Sequence, residues 1–186
     1  DDKRKEYADI AINELDRMNN LLTEYLSRYK ARNGTEVKAQ TAVSVKKVIE
    51  ELIAFFQHSL HIKGISHEIE FENNELLVLI GKEQLMQVLI NIVQNSIEAM
   101  DKGDHLSIKA FKEDDWVCIE IKDEGVGIKQ SELDKIFAPF FSTKENGTGL
   151  GLYITKRIVD NNGGSINIKS IEGKGTTTYL KFPRTG

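Results

Sequence analysis

Hydrophobic and polar positions recur along this chain with different periods, and each period marks a different kind of element. Over residues 1–32, Ala8, Ala11, Leu15, Met18, Leu22, Tyr25 and Tyr29 follow steps of three and four, a heptad seam. Ile12, Leu21 and Leu26 widen it into the stripe of a bundled helix, which needs a partner helix to bury it. Asn33-Gly34 is a stop signal, so a domain boundary is expected between residues 34 and 35. Residues 36–43 read as extended. Ser44 is placed to cap a helix running to about Lys63, with Val45, Val48, Ile49, Leu52, Ile53, Phe56 and Leu60 on its core face and Gly64 at its end.

Period two then takes over. Ser66–Glu72 alternates His67, Ile69 and Phe71 against Glu68, Glu70 and Glu72, and Leu76–Ile80 is a short apolar strand. Leu106–Phe111 and Trp116–Asp123 pair around a polar turn, and Ser165–Ser170 and Thr176–Phe182 make a last hairpin through Gly173 and Gly175. Residues 124–147 hold little that is periodic beyond a short helix near Ser131–Phe137; a loop this long in a compact domain is usually functional. Gly147–Asn161 is helical after its glycines. Helices and strands mix without strict alternation, so the fold class is α+β and layered.

One helix stands apart. Across Gln84–Met100, Leu85, Val88, Leu89, Ile92, Val93, Ser96, Ile97 and Met100 spread over a wide apolar arc. The remaining stripe, Gln84, Gln87, Asn91, Gln94, Asn95 and Glu98, is almost all neutral amides, where a solvated face usually carries Lys and Glu. Asn91 and Asn95 lie one turn apart on the same side. Such a row suits a hard cation or a polar ligand, and serves equally a flank bonded to a neighbouring loop.

Composition narrows the classes. The chain has 186 residues, enough for one or two domains with a proper core, and a formal net charge of −4, with no basic stripe to bind nucleic acid. Cys118 is the single cysteine, so neither a disulfide framework nor a thiolate metal site exists; within WVCIEI it reads as a small buried hydrophobe. No apolar run reaches the ~20 residues of a membrane span, and no membrane contact is expected within this chain. The first residues, DDKRKEY, begin inside a helical pattern, as a fragment of a longer protein would.

Two glycine clusters carry the candidate chemistry. Val117, Ile119 and Ile121 occupy one strand face, and Asp123 continues it immediately before Glu124-Gly125-Val126-Gly127. A buried carboxylate requires donors, and an adenine amino group would be one; a turn aspartate before glycines is the plainer alternative. In NGTGLGL, Gly147, Gly149 and Gly151 alternate at the start of a helix whose free N–H groups and dipole suit phosphate. The spacing is neither the dinucleotide fingerprint nor a P-loop. Between them, Phe137, Phe140 and Phe141 should anchor the loop to the body, and Thr143 and Lys144 stand just before the glycines, where a lysine would meet phosphate charge.

Together these pieces resemble the ATP-binding domain of bacterial sensor histidine kinases. QVLINIVQNSIEAM is similar to the family's N box, DEGVGI to its first glycine box, IFAPFF to its F box and GTGLGL to its second glycine box; GKGT at 173–176 matches the closing hairpin. The wording of FAPFFSTK resembles the nitrogen-regulation and sporulation kinases. The likeness covers residues 36–186, with residues 1–32 similar to the second helix of the family's dimerisation and phosphoacceptor hairpin.

The resemblance implies a two-layer α/β sandwich on a mixed sheet in residues 35–186, preceded in residues 1–34 by part of a dimeric four-helix bundle. It implies ATP held between the amide-striped helix and loop 129–147. Asn95 would hold Mg²⁺, with Asn91 in support. Asp123 would accept from the adenine amine, Gly125 and Gly127 would leave room for the base, and Thr176 would lie near it. Lys144 and the N–H groups of Gly147, Thr148, Gly149, Leu150, Gly151 and Leu152 would carry the phosphates, beside Thr143. The implied partners are a second copy of the chain and the receiver domain of a response regulator, in a cytoplasmic setting, with any membrane anchor lying elsewhere in the parent protein.

The family's acceptor histidine is not found here. His58, His61, His67 and His105 lack its flanking pattern: His67-Glu68 imitates the start but continues IEFE without Asn-Pro. All four read as structural or surface residues, and the acceptor is expected upstream of Asp1. Lys82, where the family often has an acidic residue, is a further departure. The implied reaction is transfer of the γ-phosphoryl of ATP to a histidine and on to a receiver aspartate. A water-directed ATPase or serine kinase of the same superfamily is the first alternative, although those relatives commonly carry a glutamate where this chain has Asn91. A non-catalytic nucleotide-sensing dimer module is the second.

Overall fold

The computed structural model describes residues 42–73, 75–144 and 148–185. The expected helix over 1–32, its heptad seam, most of the extended stretch and Gly147 lie outside the described residues. Contacts divide the chain into units Asp1–Ala39 and Gln40–Gly186, and everything below concerns the second.

In chain order the elements are β1 (Val43–Ser44), α1 (Val45–Lys63), β2 (Ser66–Phe71), β3 (Leu77–Val78), α2 (Lys82–Ala99), β4 (His105–Glu113), β5 (Trp116–Asp123), α3 (Gln130–Leu133), α4 (Gly151–Asn161), β6 (Ser165–Ile171) and β7 (Gly175–Pro183). Ser44 caps α1, its side chain accepting from Lys47 N at 3.4 Å, and Gly64 closes it in the left-handed conformation at φ 67°. α2 ends without a glycine. Instead the Lys63 ammonium donates to Ile97 O at 2.7 Å and Met100 O at 3.2 Å, satisfying last-turn carbonyls and favouring the dipole.

Five strands form one sheet in the order β2-β4-β5-β7-β6, with β2 parallel to β4 and the other pairs antiparallel. β1 and β3 make a separate small ribbon. The register stacks Ile108, Ile121, Thr178 and Ile168 across one face, flanked by the row Ala110, Ile119, Leu180 and Ile166. Against that face pack the apolar sides of the helices: Val48, Leu52 and Phe56 of α1, Leu85, Leu89 and Val93 of α2, and Val159 of α4 share its core. Lys109, Glu120, Tyr179 and Asn167 are aligned on the opposite face, which is less buried. The fold is the expected two-layer α/β sandwich on a mixed sheet. No described helix is long and apolar enough to cross a membrane.

Where the structure differs from expectation, it does so locally. The short helix is four residues, Gln130–Leu133, followed by turns rather than extending to Phe137. As the pattern implies, α4 begins only where the glycines end, at Gly151; Gly149, at φ +68°, turns the backbone just before it.

Candidate functional site

A cavity of about 940 Å³ opens between α2, the loop after β5, the start of α4 and the ends of β6 and β7. Its deep end is built on Asp123. That carboxylate terminates the inward face of β5 and is only 3% exposed. Ser96 Oγ donates to Oδ2 at 2.8 Å, while Gly125 N and Thr176 N each donate to Oδ1 at 3.1 Å. β5 and β7 supply the geometry, because Asp123 stands directly opposite Thr176. Burial still outweighs these donors and pushes the carboxyl above its ordinary range.

The glycines after Asp123 serve the protein backbone first. A methyl group on Gly125 would lie 2.5 Å from Ala99 O, and one on Gly127, whose φ is +69°, would lie 2.2 Å from Ile171 O. They let the loop lie against α2 and the β6–β7 turn; Val126 N donates to Ala99 O at 3.0 Å and Gly173 N to Val126 O at 2.7 Å. Of the two, Gly127 lines the cavity.

The amide row divides its work: some members bond neighbouring segments, as a packed flank would, and one faces the cavity. Asn91 turns away from the cavity: its Nδ2 donates to Gly151 O and Thr155 Oγ1, each at 3.2 Å, tying α2 to the first turn of α4. Asn162 reaches back to Gln84 at 3.5 Å. Gln94 Nε2 donates to Glu98 Oε1 at 2.7 Å. Asn95 alone of the amides lines the cavity, with Glu98 beside it. Its Oδ1 accepts from the Lys144 ammonium at 3.1 Å, and the same ammonium donates to Glu98 Oε2. Burial acts against the ionised form of Glu98, yet the bonds from Lys144 and Gln94 prevail and hold its carboxyl below the ordinary range.

Two oxygens of hard character therefore converge on a cation. That donor set fits Mg²⁺, which takes one or two protein oxygens and completes its shell with water and phosphate. No group of three or more His, Cys, Asp or Glu residues able to cage a metal exists among the described residues.

The rim is formed by Thr143, Lys144, Thr148, Gly149, Gly151 and Leu152. Gly149 packs its α-carbon on the backbone of Phe140, where a methyl would meet a carbonyl carbon at 2.4 Å; Phe140 itself sits at φ 63°, an unusual conformation for an aromatic residue. Gly151 is different. A methyl there would find nothing nearer than Asn91 at 3.9 Å, so this glycine leaves open space at the N-terminus of α4.

Of the sequence-derived residues, the fold brings Asn95, Asp123, Gly127, Thr143, Lys144, Thr148, Gly149, Gly151, Leu152 and Thr176 to one cavity. Asn91, Gly125 and Leu150 stand behind its wall. Sequence reasoning missed Ser96, assigned to the apolar arc; a serine surrounded by buried Ile92, Val93 and Ile97 was the available signal. It also missed Thr178, a buried hydroxyl on the sheet floor, and the pairing of Glu98 with Lys144.

This arrangement belongs to a known architecture. Residues 81–186 match the family described as histidine kinase-, DNA gyrase B-, and HSP90-like ATPase. The chain is a member of that family. It is 34% identical over 178 residues to sporulation kinase A of Bacillus subtilis, covering 96% of this chain and 29% of the relative, and 36% identical over 181 residues to sporulation kinase C of the same organism, covering 97% and 41%. The chain thus spans roughly a third of the length of such relatives. Its fold is similar to the catalytic domain of histidine kinase ThkA, with TM-score 0.73 and 32% identity over 80% of this chain and 97% of that one. It is also similar to ThkA solved in complex with the response regulator protein TrrA, with TM-score 0.69 and 28% identity over 96% of this chain and 51% of that one.

Proposed function

We propose that this family member is the ATP-binding part of a protein histidine kinase, passing the γ-phosphoryl of ATP to a histidine outside this sequence. One observation carries the reading: a buried carboxylate, a carboxamide–carboxylate pair and an open helix N-terminus line a single cavity of about 940 Å³, a volume suited to a nucleotide. Asp123, its carboxyl fixed in place by three protein donors, orients the adenine amine. Gly151 and the first N–H groups of α4 face the phosphates, with Thr148 and Lys144 at the rim. Asn95 would hold Mg²⁺, which when bound neutralises phosphate charge. An imidazole nitrogen is already nucleophilic, so the chain's own residues contribute position and charge neutralisation more than a general base.

Asn91 favours this reading over a water-directed ATPase, since its amide is engaged with α4 and carries no base one turn before Asn95. The domain boundary at residues 34–35, the dimer through the 1–32 helix, a receiver-domain partner and a cytoplasmic setting complete the proposal; the ThkA–TrrA complex supports the partner class.

The decisive experiment incubates the 186-residue chain with ATP labelled at the γ-position and a separate acceptor-helix hairpin. Acid-labile phosphate on a histidine of the hairpin is expected. Phosphate released only to water would establish the ATPase instead.

A further inference from the structure

Asn95 and Glu98 lie one turn apart on α2 and converge on a single ammonium. Both members of the Glu98–Lys144 pair are held in place independently. Glu98 has its other oxygen fixed by Gln94 Nε2 at 2.7 Å. Lys144 sits at the end of a tight hydroxyl turn: its N–H donates to Ser142 Oγ at 3.1 Å, and that hydroxyl donates back to Lys144 O at 3.2 Å. The ammonium bonds Asn95 Oδ1 at 3.1 Å as well as Glu98, so it occupies the oxygen assigned to the metal ion. Lys144 and Asn95 are distant in sequence, and this one contact ties the segment before the second glycine cluster to α2.

We propose that Asn95 and Glu98 form one cation seat, that the ammonium of Lys144 fills it in the free protein, and that Mg²⁺ displaces the lysine from it. The inference rests on the reading of Asn95 as the metal residue and adds Glu98 to it. The seat cannot hold both cations, because a monovalent and a divalent charge within about 4 Å repel strongly in a partly desolvated cleft. A seat with one formal negative charge and two hard oxygens attracts the divalent ion more strongly than the ammonium, with waters, or phosphate oxygens when nucleotide is bound, completing its shell. The displaced ammonium is then free to meet the phosphates. Loading of the metal and release of the Phe141–Lys144 segment from α2 become one exchange.

The test uses Mn²⁺ as the probe, with free Mn²⁺ read by electron paramagnetic resonance on the nucleotide-free 186-residue chain. Lys144→Met removes the competitor, and Mn²⁺ affinity should rise about fivefold, the scale of a part-exposed ion pair. Adding Glu98→Gln should erase that gain. Both side chains are near 40% exposed, so the variants should keep the wild-type unfolding curve. Unchanged or undetectable Mn²⁺ binding by Lys144→Met would overturn the proposal, as would a gain that survives Glu98→Gln. Asn95→Ala in the Lys144→Met background separates the two assignments: unaltered Mn²⁺ affinity refutes the Asn95 reading and the shared seat with it. Loss on Asn95→Ala without loss on Glu98→Gln refutes only the carboxylate's part. As a second readout, acetylation of Lys144 followed by mass spectrometry should be slow in the free wild type and several-fold faster in Glu98→Gln; equal rates would contradict the seat.

Discussion

Asp123 illustrates how burial and function are set by the same atoms. Its folded pKa lies above the unfolded value because desolvation outweighs Ser96, Gly125 and Thr176. The linkage sign follows: its contribution to stability is fully present below the unfolded pKa and is lost as pH rises through the raised folded value. Asp123→Asn removes that ionisation at nearly the same volume. Relative to wild type, the variant should therefore be more stable at neutral pH than in acid, checked by paired thermal melts across that window; the opposite slope would contradict the raised pKa. In the proposed adenine pocket the same change places an N–H₂ donor against the base's amine, and nucleotide affinity should fall by roughly tenfold to a hundredfold, read by calorimetric titration. Cys118 gives the contrasting case. It is 4% exposed, and burial pushes its thiol up to about 11. At pH 8 only about one thiol in a thousand would be ionised, so alkylation should proceed only on unfolding, which mass spectrometry with and without denaturant resolves.

Within α2, two asparagines one turn apart have separate tasks. Asn91→Ala deletes two bonds to α4, one of them to the fully buried Thr155. It should cost about 1–2 kcal/mol and lower the melting temperature by several degrees. Asn95→Ala touches only the cavity. It should leave the melting temperature within error while abolishing Mg²⁺-dependent nucleotide binding. If Asn95→Ala unfolds the protein, or if Asn91→Ala leaves it unaltered, this division of labour is wrong. Among the described residues, the periodic patterns located each main helix and strand to within a few residues because one face of each must be apolar to pack. They could not divide the amide stripe among its partners, since Gly151, Thr155 and Asn162 reach α2 only through the packing of α4.

At the scale of the molecule, the described core closes on itself between Val45 and Phe182. A chain reduced to residues 40–186 should fold cooperatively and bind nucleotide as the full chain does, by calorimetry and titration. The proposed dimer depends instead on the heptad seam of residues 1–32. Leu22→Glu should convert the full chain to monomer in sedimentation without altering nucleotide affinity, and a persisting dimer would remove the seam from that role.

What the order of residues determined alone is the set of local choices: amphipathic period, caps at Ser44 and Gly64, an inward carboxylate at the end of β5, and glycines beside it. Each follows from interactions within a few positions or from a strict period. Which glycines face neighbouring backbone, which asparagine meets the cavity, and which lysine meets Glu98 were decided only by tertiary structure. Those contacts join residues dozens of positions apart, and nothing local distinguishes Asn91 from Asn95 until a helix packs over one of them.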